Sequence, residues 1–65
     1  MITYGVGFAD LKNHGMKRFA IVGAETIIEM TRIFQHIHDE NSVRIDVICD
    51  LNSRNVLYVR EELIR

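Results

Sequence analysis

Glu25-Thr26-Ile27-Ile28-Glu29-Met30-Thr31-Arg32-Ile33-Phe34-Gln35-His36-Ile37-His38-Asp39 is the one long segment of this chain with a helical period. At about 100° per residue, Ile27, Met30, Ile33, Phe34 and Ile37 fall within an arc of about 120°. Glu25, Glu29, Arg32 and His36 take the opposite side. Glu25 and Glu29 stand in the first turns, where they favour the positive end of the helix dipole. The polar run Asp39-Glu40-Asn41-Ser42 ends the pattern. A single amphipathic helix has one apolar stripe to bury, so the flanking segments are expected to supply the sheet that covers it.

Both flanks read as strands. Downstream, Val43, Ile45, Val47 and Cys49 alternate with Arg44, Asp46, Ile48 and Asp50, which predicts a strand with the first set buried. Asn52-Ser53-Arg54-Asn55 reads as a hairpin turn, and Val56 to Val59 as the returning strand. Glu61 to Arg65 fits either an extension of that strand or one helical turn. Upstream, Gly23 ends a short strand, Phe19-Ala20-Ile21-Val22, and Asn13-His14-Gly15 marks a bend. Ahead of it Ile2, Tyr4, Val6 and Phe8 alternate with Thr3, Gly5, Gly7 and Ala9, giving one large apolar face and one small-residue face. The expected fold is α+β, a single domain over residues 1–65 of order β-β-α-β-β, with one helix packed on a four-stranded sheet. The helix joins the second and third strands, a crossover that is right-handed where those strands run parallel.

Composition bounds the functional classes. Eight Lys+Arg stand against nine Asp+Glu, 48% of residues are hydrophobic, and there is one Cys and no Pro. The longest apolar run is too short to cross a bilayer, and no basic stretch followed by an apolar core opens the chain. One Cys cannot make an internal disulfide, so a cytoplasmic location is expected and a stapled secreted mini-protein is not. A chain this short buries a limited share of its surface, and an efficient core or a neighbour must make up the difference. The apolar surplus therefore predicts a homo-oligomer. Ile28, off the helix stripe, and Ile48, on the charged side of its strand by alternation, are the interface candidates.

Chemistry-bearing patterns are sparse. Gly5-x-Gly7 lacks the third glycine and the following helix of a phosphate loop, and reads as a strand needing small residues. His36 and His38 point about 200° apart on a helix and cannot chelate one ion there. Cys49 reads as a small core thiol, with no base placed beside it in sequence. No catalytic residue, metal site or cofactor is expected. Basic residues concentrate at loops: Lys12, Lys17 and Arg18 around the first, Arg54 in the hairpin and Arg60 near the end. These are the candidates for nucleic-acid or anion binding. Tyr4, Phe8, Phe19 and Phe34 are expected in the core, which leaves no aromatic platform for stacking RNA bases.

With its elements placed, the chain resembles the RemA family of small bacterial matrix-gene regulators. The shared features are a Gly-x-Gly first strand (Gly5, Gly7), a second strand ending Ile21-Val22, and an acidic entry to one amphipathic helix. An Ile45-Asp46 strand, an arginine-containing hairpin and a Val56-Leu57-Tyr58-Val59 strand follow. The resemblance implies ring assembly and DNA binding through loop arginines, here Arg18 and Arg54. The family's adjacent arginine pair in the hairpin and its proline near the helix are absent. The tail Val59-Arg60-Glu61-Glu62-Leu63 is similar to the end of CsrA-type RNA-binding proteins, in a fold that has no place for the long helix.

The functional expectation is a small non-enzymatic, oligomeric binding or regulatory protein acting through protein–protein interaction, of the compact kind that phages and mobile elements encode as inhibitors. Two alternatives stay open: an oligomeric DNA-binding regulator using the loop arginines, and a binder of a small anionic ligand at a subunit interface.

Overall fold

A computed structural model describes residues 1–64. Four strands, β1 (Ile2–Asp10), β2 (Met16–Ala24), β3 (Val43–Asp50) and β4 (Asn55–Val59), form one sheet in the order β2-β1-β3-β4. Neighbours are antiparallel throughout. β2 and β3, each antiparallel to β1, therefore run parallel to one another with β1 between them, and the helix α1 (Ile27–Ile37) connects them. The expected α+β domain of order β-β-α-β-β is the fold observed. No helix among the described residues is long and apolar enough to cross a membrane.

Local chemistry sets the boundaries. The Thr26 hydroxyl accepts from the Glu29 amide at 3.1 Å and caps α1, while the Glu29 carboxylate reaches back to the Glu25 amide. Glu25 thus precedes the helix instead of opening it, because the capping hydroxyl takes the boundary. The β1–β2 connection is a 3₁₀ turn at Leu11–Asn13 followed by His14 and Gly15, both in the left-handed region. Such a bend favours glycine, and Gly15 sits at φ 71°. Gly23 does not interrupt β2. It pairs with Thr3, and the strand continues to Ala24. Past β4 the chain turns into a 3₁₀ helix at Glu61–Ile64, so the tail does not extend the strand; Arg65 lies outside the described residues.

The core lies between α1 and one face of the sheet. Tyr4, Val6 and Phe8 of β1 pack with Val22, Ala24, Met30, Phe34 and Ile48. Phe8 and Phe34 meet edge to face at 5.2 Å, and His38 lies against both rings. Met30 and Phe34 are buried, but Ile27 and Ile37, at the two ends of the predicted stripe, are exposed. The helix packs through its middle turns only.

One irregularity reorganises β3. Gly7 pairs with Val47, but the next residue of β1, Phe8, pairs with Ile45, so Asp46 is an extra residue in the ladder. A bulge of this kind reverses the inside–outside phase of everything beyond it. Ile45 and Ile48 both face the helix, opposite Phe8 and Val6, while Val47 and Cys49 turn to the other side. The strict alternation read from sequence is corrected accordingly. Ile48, expected as an interface residue on a charged face, is 7% exposed and belongs to the core. Cys49, expected in the core, is half-buried on the opposite face.

Candidate interaction surface

The face of the sheet away from α1 is open, and register assigns its residues row by row. Thr3 pairs with Gly23. The next row is Ile21, Gly5, Cys49 and Val56, and the one after it Phe19, Gly7, Val47 and Val59. Lys17, Ala9 and Arg44 close the far end. The two middle rows are uncharged and mostly apolar. Phe19 is 58% exposed, Ile21 67% and Val56 60%, with Leu51 and Val59 also open to solvent. Phe19, expected in the core, is instead a surface aromatic, because pairing with Gly7 puts it on the side that α1 does not cover.

The small residues of β1 shape this face. A methyl group on Gly5 would stand 2.5 Å from Cζ of Phe19 and 3.0 Å from Sγ of Cys49. One on Gly7 would stand 2.7 Å from a Val47 methyl. Side chains from β2 and β3 thus lean across the middle strand, which flattens the surface and keeps Gly5 buried beneath them.

At the charged end, the extra residue of the bulge anchors an ion cluster. The Asp46 carboxylate, almost wholly buried, accepts from Lys17 Nζ at 2.6 Å, Arg60 Nε at 2.8 Å and Arg44 Nε at 3.3 Å. Burial pushes its pKa upward, but the hydrogen bonds from Lys17, Arg60 and Arg44 and the charge of Lys17 outweigh that and bring it down to about 2. Hydrogen bonding to Asp46 raises the Arg60 guanidinium above its ordinary value, and Arg60 also pairs with Glu62.

The predicted basic residues are thus only partly brought together. Lys17 and Arg60 converge on Asp46, and they are joined there by Arg44, which sequence reasoning passed over as an alternating strand residue. Arg18, next to Lys17 on a strand, points to the helix side and pairs with Asp10 at 3.1 Å. Lys12 is exposed on the 3₁₀ turn beside it. Arg54 sits in the β3–β4 hairpin at the opposite end of the sheet, roughly 20 Å from the others by strand length. Its neighbour Asp50 organises that turn by accepting from the amides of Asn52 and Ser53. Arg65 lies outside the described residues.

Two further features complete the surface. Ile28 is exposed in the first turn of α1. A groove of about 280 Å³ opens on the helix side where α1 leaves β4 uncovered, lined by Phe34, His38, Val43, Ile45 and Tyr58. Arg44 and Arg60 at its rim are engaged with Asp46. Among the described residues no group of three His, Cys, Asp or Glu is placed to hold a metal ion. Comparison with known protein families, curated proteins and solved structures finds no match to this chain.

Proposed function

We propose that this chain is a non-enzymatic binding protein of the regulatory kind, acting through protein–protein interaction at the open face of its sheet. The observation that carries the reading is the pair of uncharged rows that cross all four strands, with Phe19 and Ile21 exposed on one edge strand, Val56 and Val59 on the other, and Leu51 just past the end of β3. A contiguous apolar surface of this extent on a small domain is costly to leave in water and marks a contact with another macromolecule. The disposition of charge favours a protein over a nucleic acid as that partner. Lys17, Arg18 and Arg60 are each paired with a carboxylate, and Arg18 and Arg54 stand at opposite ends of the sheet, so they form no continuous track for a phosphate backbone.

Affinity capture with the immobilised chain tests this. Protein bound by the wild type, whether further copies of the chain or another polypeptide, is expected to be lost with Ile21→Asp and retained with Ile28→Asp, which alters an exposed helix position instead. Equal binding by Ile21→Asp overturns the reading. Salt-sensitive binding of duplex DNA, lost when Arg18 and Arg54 are both changed to Ala, transfers the function to the regulator alternative.

A further inference from the structure

The molecule is a plate. Its principal extents are 33 × 30 × 15 Å, so it is half as thick as it is wide. Its radius of gyration, 11.5 Å, exceeds the roughly 10.7 Å of a compact chain of this length. One broad side of the plate carries α1. The other is the open face.

We infer that the occupant of the open face is a second copy of this chain, packed sheet against sheet; this rests on the reading of that face as an interaction surface and names its partner. Dimensions support it first. A side of 33 by 30 Å bounds at most about 990 Å², and a stable interface of standard size takes about 800 Å² from each partner, so the contact uses most of that side. Two plates stacked with their sheets about 10 Å apart make a sandwich as deep as it is wide, with the helices outside. Electrostatics support it next. The rows Ile21-Gly5-Cys49-Val56 and Phe19-Gly7-Val47-Val59 are uncharged, and Lys17 and Arg44 at the far end of the face are paired with Asp46, so an identical face brings no unpaired charge against them. The formal net charge of −1 per chain adds little repulsion between copies. Topography is the third support. Phe19 and Val47 lean over Gly5 and Gly7, which leaves a surface low enough for the broad contact that sheet packing requires.

The alternative ways of self-association run through the free edges of the sheet, β2 on one side and β4 on the other. Two substitutions separate them from face packing, because Ile21 lies on β2 and Val56 on β4 while both point to the open face. Sedimentation equilibrium of the intact chain is expected to give twice the 7.6 kDa mass of one copy. Ile21→Asp and Val56→Asp, each shown to remain folded by circular dichroism, are both expected to raise the dimer dissociation constant by about tenfold or more. Loss of the dimer with only one of the two places the contact on that strand's edge and overturns face packing. A wild-type mass of one copy at all concentrations also overturns it. In that event capture of a different polypeptide, lost with Ile21→Asp, still supports the open face as an interaction surface, whereas capture unaffected by Ile21→Asp removes both.

Discussion

Asp46 has no partner of its own in the β1–β3 ladder, and its carboxylate collects Lys17, Arg44 and Arg60. A carboxyl held at about 2 in the folded chain, against an ordinary value near 3.8, contributes stability at every pH above the unfolded value. That contribution is lost as pH falls from about 4 through about 2, where the folded state no longer holds the charge. Urea midpoints measured from pH 6 to pH 2 are therefore expected to fall more steeply for the wild type than for Asp46→Asn, and the variant to be less stable by about 1.5–3 kcal/mol at neutral pH. Parallel pH profiles would show that the cluster is not coupled to folding. The bulge itself was not legible. Val43 to Asp50 alternates except at Ile48, and an insertion in a ladder is a property of two paired strands that no single strand displays. The one hint was Ile48, an apolar residue in phase with Arg44, Asp46 and Asp50, which was read as a contact residue instead of as a sign that the phase changes.

The elements themselves were far more legible than their faces. The 3.6-residue period identified a helix over Glu25 to Asp39, and α1 is observed shorter, at Ile27–Ile37, because the Thr26 hydroxyl takes the N-terminal boundary and His38 the C-terminal one. The period says which residues share a side. It does not say how much of that side meets the sheet, so Ile27 and Ile37 were expected inside and are exposed. Gly23 was read as a strand end on local preference, and cross-strand pairing with Thr3 overrode it. The phase reversal in β3 also distinguishes two isoleucines that sequence treated alike. Ile48→Ala empties a core position opposite Val6 and is expected to cost about 2–5 kcal/mol, whereas Ile28→Ala changes an exposed position and is expected to stay within about 0.5 kcal/mol. Urea denaturation of the two variants checks this, and equal losses would contradict the assignment of Ile48 to the core.

At the scale of the whole molecule, length and composition foretold a surplus of apolar residues without saying where it would lie. Register against the small residues of β1 locates much of it on the open face, in Phe19, Ile21, Val56 and Val59. Of the basic residues proposed from sequence, Lys17 and Arg60 converge, and only because Asp46 draws them in; Arg54 lies at the other end. The open face also contains the chain's single cysteine, half-buried in the row with Gly5, Ile21 and Val56. The rate at which Cys49 reacts with a thiol reagent in excess thus reads directly whether that face is covered. At high protein concentration the wild type is expected to react about tenfold or more slowly than folded Ile21→Asp, with the rate rising towards the variant's as the wild type is diluted and the dimer dissociates. Equal rates for the two proteins at every concentration would mean that the open face stays in water, and would contradict its role as the contact surface.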